Sequence, residues 1–223
     1  EIVGLGGLVG AGRTELAKSI FGARKHYGGD VYLNGRLLSR RNPYRCVQHD
    51  LVYLSEDRKT EGLTVRASIQ NNLLSAAMLK MFRHLWVSRR RENAEAKQLI
   101  QKFNIICNDR EQPANTLSGG NQQRVCFAKW YATRPRVLIL DEPTRGIDVG
   151  AKAQIYRIMD QAAQEGMAIL MISSEMPELL GMSDRIYIMR DGRVTVEISD
   201  KAQMTQENVL KYTIGIPEDR REA

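Results

Sequence analysis

Three short stretches carry the residue types that handle phosphate. Gly7-Leu8-Val9-Gly10-Ala11-Gly12-Arg13-Thr14 matches G-x-x-x-x-G-K-S/T at every fixed position but one. Its glycines let the backbone turn tightly and aim N–H groups at phosphate oxygens. A following helix adds the positive end of its dipole. Thr14 offers a hydroxyl to a magnesium ion, and Arg13 stands where the lysine belongs. Arginine keeps the charge but spreads it over a planar fork, which works against close contact with the β- and γ-phosphates. Further along, an apolar run, Val137-Leu138-Ile139-Leu140, ends in Asp141-Glu142. Ligands of parallel sheets bind beyond the carboxyl ends of strands, so these acids are expected beside the glycine loop. Asp141 is expected to hold Mg²⁺, directly or through water, and Glu142 to polarise the water that attacks a γ-phosphate. In the third stretch, Leu117-Ser118-Gly119-Gly120-Asn121-Gln122-Gln123, Ser118 is a helix cap. The two glycines behind it open a second anion cradle. Two such cradles are more than one nucleotide needs.

The elements that must position these residues are set by periodicity. Residues 2–8 and 14–21 read as strand, glycine turn and helix. Residues 31–38 form a hairpin about Asn34-Gly35, a pair that tolerates the positive φ of a two-residue turn. A strand is expected at 50–54 and helices near 67–82, 89–103 and 119–133. The continuous apolar runs 137–140 and 168–172 suit buried parallel strands, and the helix 150–165 between them makes a βαβ unit. A closing hairpin spans 185–198 about Asp191-Gly192, and a terminal helix begins near Thr205. The sum is an α/β core interrupted by helices.

Composition narrows the class. The 223 residues are 43% hydrophobic and 26% charged, which fits one folded domain rather than a disordered chain. No run approaches the 18 apolar residues a membrane span needs, and the first residues lack a secretion signal. Cys46, Cys107 and Cys126 lie far apart without a CxxC pair, which argues against a disulfide framework or zinc site and fits a reducing, intracellular compartment. The net charge of +7 admits an anionic partner. Its one dense cluster, 83–91, reads as a solvated helix junction in preference to a nucleic-acid patch.

In their order these motifs resemble the ATP-binding cassette of ABC transporters. Residues 117–122 look like its signature, 138–142 like its Walker B strand, and Gly146-Ile147-Asp148 like its D-loop. With Glu56-Asp57-Arg58-Lys59 and Ile172-Ser173-Ser174-Glu175 added, the set is similar to one subfamily. That subfamily is the second, C-terminal cassette of tandem ATPase subunits of bacterial sugar importers, of ribose, galactose, xylose, arabinose and autoinducer-2 types. The resemblance implies an α/β P-loop NTPase with a mainly parallel sheet, antiparallel hairpins and an inserted helical subdomain. The core would take 1–64 and 134–200, the signature subdomain 65–133, and a C-terminal helix and tail 201–223. It implies ATP bound by a Walker A of Gly7, Gly10, Ala11, Gly12, Arg13 and Thr14, with Mg²⁺ on Thr14 and Asp141 and Glu142 catalytic. Ser118, Gly119, Gly120 and Gln122 would serve a partner cassette's site, next to the D-loop Asp148. The implied partners are a first cassette on the same full-length chain, membrane permease subunits and, indirectly, a periplasmic sugar-binding protein. The implied place is peripheral, on the cytoplasmic face of the bacterial inner membrane. The sequence starts at the strand entering the glycine loop, without the family's preceding strands and adenine-stacking aromatic, and so reads as a fragment of a longer chain.

Three positions depart from that pattern. Arg13 replaces the Walker A lysine, Glu56 stands at the Q-loop glutamine, and Ser174 at the H-loop histidine. The histidine is excluded by count, since His26, His49 and His84 all precede Asp141. Losing a group placed for the transition state costs about 10²–10³-fold in rate. The chain's own site is therefore expected to bind nucleotide and hydrolyse it poorly, while its signature works on the first cassette's ATP. The alternative, a soluble ABC-type ATPase acting on ribosomes or nucleic acid, draws on the +7 charge and Arg89-Arg90-Arg91. Such proteins resemble cassettes that keep the lysine and histidine, so no nucleic-acid partner is expected. Residues 56–64 and the helix from Ala67 would meet the permease, with Leu63 and Val65 as apolar contacts.

Overall fold

The computed structural model describes residues 1–25, 28–81 and 88–215. Among the described residues six strands form the main sheet: β1 (Ile2–Gly7), β4 (Leu51–Leu54), β5 (Val137–Asp141), β6 (Ala168–Ile172), β7 (Arg185–Arg190) and β8 (Arg193–Ile198). Their spatial order is β4-β5-β6-β1-β7-β8. The first five run parallel, and β8 returns antiparallel to β7. Parallel strands covered on both faces must be apolar throughout, and β4 is buried at all four residues. One sheet edge therefore gathers the segments that leave β1, β4, β5 and β6: the glycine loop, Ser55-Glu56, Asp141-Glu142 and Ser173-Ser174. Register explains the closeness, since Asp141 pairs with Ile172 and Leu5 does too.

The hairpin β2 (Tyr32–Leu33) and β3 (Arg36–Leu37) turns through Asn34 and Gly35, at φ +51° and +73° as a type I′ turn requires. Helix α1 (Arg13–Phe21) succeeds the glycine loop, and α6 (Val149–Gln164) links β5 to β6. Helix α6 buries Ala151, Ile155, Met159 and Ala162, one stripe at spacing four, four and three. Helices α3 (Ile69–Met81), α4 (Arg89–Lys102) and α5 (Gly119–Tyr131) come between β4 and β5 and pack on one another. They share the sheet's core: Phe21 of α1 lies 5.7 Å from Tyr53 of β4 and 6.2 Å from Trp130 of α5, centroid to centroid. Helix α8 (Gln206–Ile214) is capped by Thr205.

Two short helices escape periodicity. Helix α2 (Pro43–Gln48) opens with Asn42 accepting from Arg45 N at 2.9 Å and Pro43 at its first position. Helix α7 (Met176–Met182) also starts at a proline pair, Met176-Pro177. Of the basic cluster, residues 82–87 lie outside the described residues, and Arg89, Arg90 and Arg91 are exposed on the first turn of α4. Among the described residues no helix is long and apolar enough to cross a membrane.

Candidate functional site

The glycine loop leaves β1 and enters α1 through Gly12, whose φ of +96° favours glycine at the cap. Among the described residues no side chain caps the helix there, which leaves its first-turn N–H groups to an outside acceptor. Ala11 is buried beneath the loop, its N–H on the Leu8 carbonyl at 3.0 Å, and Gly10 turns at φ +86°. The hairpin between β7 and β8 reaches under the loop as well, with Gly192 N donating to the Ala11 carbonyl at 3.0 Å. Gly7 has no room for a side chain, because a Cβ would run into the Met189 carbonyl.

Thr14 and Asp141 meet as expected: the hydroxyl donates to Asp141 Oδ1 at 3.1 Å. Asp141 is fully buried, and Tyr53 OH donates to its other oxygen at 2.7 Å. Burial pushes the Asp141 carboxyl above its ordinary range, against the pull of those two hydrogen bonds and of Arg13 and Lys18. Burial and the adjacent carboxylate raise the Tyr53 hydroxyl likewise. A buried carboxylate and a hydroxyl side by side are hard oxygen donors, the set that magnesium takes together with phosphate oxygens. The residues present fit that ion.

Arg13 does not lie along the loop. It is buried, with Nη1 donating to the Ser173 carbonyl at 2.7 Å and Nη2 3.6 Å from Glu142 Oε1. The other Glu142 oxygen accepts from Ser174 N at 3.1 Å and Ser174 Oγ at 3.0 Å. Two of the three departures from the family pattern, Arg13 and Ser174, thus converge on one carboxylate and engage both its oxygens. Glu142 itself sits at φ +48°, a left-handed conformation that costs a non-glycine residue about 1–3 kcal/mol and is commonest at functional sites. Its N–H is held by the Ile172 carbonyl at 2.9 Å. Glu56 is turned elsewhere: its carboxylate pairs with the Arg145 guanidinium on the loop after β5.

The signature stretch lies apart from this cluster. Ser118 is exposed and caps α5, accepting from Asn121 N at 3.4 Å. Gly119 is half-buried and Gly120 buried, and a Cβ on Gly120 would stand 2.6 Å from Ala151 Cβ. Asp148 caps α6, accepting from Ala151 N at 2.9 Å, and the first turn of α6 packs against Gly120, so the D-loop and the signature sit at two neighbouring helix starts. Gln122 is buried rather than presented outward. It donates to the Ala114 and Leu117 carbonyls at 3.3 and 3.1 Å and braces the loop from within. Leu63 is likewise buried in the chain's own core and not free as an outward contact, while Val65 is half-buried against that core.

Four positions around the site were given no role from the sequence. Tyr53, which steadies Asp141, left one signal: a hydroxyl in a buried strand needs a partner. Glu178 of α7, fully buried, accepts from Ser173 Oγ at 2.5 Å and Thr144 Oγ1 at 2.8 Å, tying the loops after β5 and β6 together. Burial raises its carboxyl, against those two hydrogen bonds. Nothing in spacing marks Thr144, Ser173 or Glu178.

A glycine loop at a helix start, facing a buried strand-end acid, with a second capped glycine pair on an inserted helical layer, defines a nucleotide-binding cassette. The family model described as "ABC transporter" matches residues 1–145, and the chain belongs to that family. Solved structures carry the same P-loop NTPase fold. A dimeric ATP-binding cassette, MJ0796, in a post-hydrolysis state with ADP and Pi superposes at TM-score 0.77 and 20% identity, covering 90% of this chain and 86% of that one. The ADP form of a second cassette, MJ1267, gives 0.76 and 20% over 96% and 88%. Among proteins of known role, the chain is similar to the ribose import ATP-binding protein RbsA of Yersinia pestis bv. Antiqua. The two are 46% identical over 221 residues, 99% of this chain and 43% of that protein. A putative ribose/galactose/methyl galactoside import ATP-binding protein of Rhizobium etli is also 46% identical, over 96% of this chain and 41% of its own length. The chain thus spans less than half the length of these relatives.

Proposed function

We propose that this chain is the second cassette of a tandem ATP-binding subunit of an ABC importer for a monosaccharide or related sugar. In this reading it binds MgATP at its own phosphate loop, and its signature completes the first cassette's hydrolytic site. The observation that carries the proposal is the contrast around Glu142. Both its oxygens are engaged by this chain's own Arg13 and Ser174, while Ser118 stands exposed at the start of α5. The similarity to sugar-import ATP-binding proteins, at less than half their length, supports the tandem arrangement.

Each residue has its part. The first-turn N–H groups of α1 and the Gly10–Gly12 backbone bind the nucleotide's phosphates. Thr14 and Asp141 would hold Mg²⁺, which neutralises charge on the phosphate oxygens. Tyr53 keeps the Asp141 carboxylate oriented. Arg13 and Ser174 hold the Glu142 carboxylate toward this chain's own groups and away from an attacking water, so hydrolysis at this site is slow. Ser118 and the N–H groups at the start of α5 face charge that develops on the first cassette's γ-phosphate, where donors count most. In the same proposal residues 65–133 form the signature subdomain between core segments 1–64 and 134–200, with 201–223 as terminal helix and tail. Permease subunits meet residues 56–64, a periplasmic binding protein delivers the sugar, and the assembly sits on the inner membrane's cytoplasmic face.

The test is nucleotide occupancy against turnover in the full-length subunit. The proposal expects two MgATP bound per chain and hydrolysis assignable to one site, resolved by single-turnover kinetics. Equal turnover at both sites would overturn it.

A further inference from the structure

The segment between β4 and α3 makes contacts that neither the phosphate loop nor the Glu142 cluster uses. It closes one turn of π-helix, Arg58–Gly62, a rare geometry that occurs frequently at functional sites. Three elements hold this turn. Lys18 of α1 pairs with Glu61 at 2.8 Å, and Ser55 Oγ donates to the other Glu61 oxygen at 2.5 Å. From α5, buried Lys129 donates its Nζ to the Gly62 carbonyl.

Arg58 reaches out of this turn to the loop after β5. Its Nη1 donates to the Arg145 carbonyl at 3.0 Å and its Nη2 to the Gly146 carbonyl at 3.2 Å. Glu56 grips the same loop through the Arg145 side chain. On its other side the guanidinium lies against the signature: a Cβ on Gly119 would stand 3.1 Å from Arg58 Nη2. Arg58 Nε is buried without a hydrogen-bond partner among the described residues. The guanidinium therefore fills the gap between the 145–146 loop and the start of α5. Two residues past Gly146, Asp148 caps α6. A planar fork can serve two successive carbonyls at once, whereas a lysine offers one compact ammonium.

We propose that Arg58 is a positioning residue for the first cassette's hydrolytic site. It fixes the spacing between the Asp148 turn and the Ser118–Gly120 end of α5, and it ties both to the π-turn. The inference rests on the reading that this signature serves a second cassette. Arg58 touches no nucleotide in that arrangement; it acts through Gly119 and Gly146. Ser118 and Asp148 keep their own capping bonds without it, so its loss leaves the chain folded and loosens the spacing. A misplacement of one ångström can cost on the order of a hundredfold in rate, with little effect on binding.

The experiment uses the full-length two-cassette subunit reconstituted with its permease, comparing Arg58→Gln, Arg58→Lys, Gly119→Ala and Ser118→Arg. Expected for Arg58→Gln is a kcat for ATP hydrolysis lower by about tenfold, with KM within about twofold and a thermal midpoint shifted by no more than about 2 °C. Arg58→Lys should not rescue kcat, because charge alone cannot bridge both carbonyls. Gly119→Ala, which crowds the guanidinium, should lower kcat alone and add little on top of Arg58→Gln, as coupled sites do. Unchanged kcat in Arg58→Gln, full rescue by lysine, or a kcat loss matched by a collapse of the midpoint would overturn the role. Should Ser118→Arg abolish hydrolysis while Arg58→Gln leaves kcat intact, the positioning role alone fails. Should Ser118→Arg leave hydrolysis intact, the signature reading fails and this inference with it.

Discussion

Helix α1 begins behind Gly12 and α5 begins with Gly119 and Gly120, so each presents the positive end of its dipole at a glycine-rich start, yet their surroundings differ. Around the start of α1 the charged side chains Arg13, Asp141 and Glu142 are all buried, and each is held by groups of the same chain. At the start of α5 the capping Ser118 is exposed, and Asp148 turns its carboxylate to a backbone N–H. A buried ionic cluster whose members satisfy one another resists rearrangement, because breaking one contact leaves a buried charge unpaired. In the proposed reading the first helix start holds a ligand still, and the second, with its exposed Ser118, serves a site completed by another cassette.

Substitutions at either helix start put that contrast at risk. The largest effect belongs to Asp141→Asn, which keeps the shape and removes the charge facing Thr14. MgATP affinity at this chain's own site should fall on the order of a hundredfold, read by calorimetric titration; an unchanged affinity would remove Asp141 from the magnesium site. Next comes a gain. In a Ser118→Arg background, where residual turnover comes from this chain's own site, Arg13→Lys with Ser174→His should raise hydrolysis about tenfold or more. Each single change should give far less, because either remaining partner still engages Glu142. Additive single effects would contradict the picture of one jointly held carboxylate.

Tyr53→Phe removes one hydrogen bond to Asp141 and leaves the ring packed on Phe21. It should weaken magnesium-dependent binding by about tenfold, with magnesium-free nucleotide binding unchanged. The smallest effect concerns stability and pH. Burial raises the Glu178 carboxyl above its ordinary value of 4.5, so the ionised form is penalised in the folded state. That penalty is absent below the unfolded value, grows as pH rises through it and is complete above the folded value. Glu178→Gln should therefore melt about 2–4 °C higher at neutral pH, and the gain should vanish on acidification toward pH 4.5. A gain that persists in acid would assign the effect to packing instead.

The elements were legible where one period dominated. The apolar runs of β5 and β6, with the helix between them, announced the βαβ unit, and Asn34-Gly35 announced its hairpin. Helix α2 stayed hidden because six residues are too few for periodicity, although Asn42-Pro43 encodes its start. At the site, the glycine loop, Asp141 and Ser118 could be placed because backbone geometry dictates residue type there. Arg13 was read as a weakened phosphate ligand; its grip on Ser173 and Glu142 depends on register between β1, β5 and β6, which no local pattern carries. The family resemblance assigns Gln122 to the partner's site, and no local pattern says that the Ala114 and Leu117 carbonyls need its amide.

Lending a signature to a partner while keeping its own site nearly idle is the behaviour we propose for this chain, in contrast to a symmetric cassette. Steady-state ATP hydrolysis by the reconstituted transporter, carrying Ser118→Arg or Arg13→Ala alone, measures it. Ser118→Arg fills the cradle that faces the first cassette's γ-phosphate and should nearly abolish both hydrolysis and sugar uptake. Arg13→Ala disturbs only the self-held cluster and should leave much of both. Equal losses, or a larger loss from Arg13→Ala, would refute the division of labour between the two helix starts.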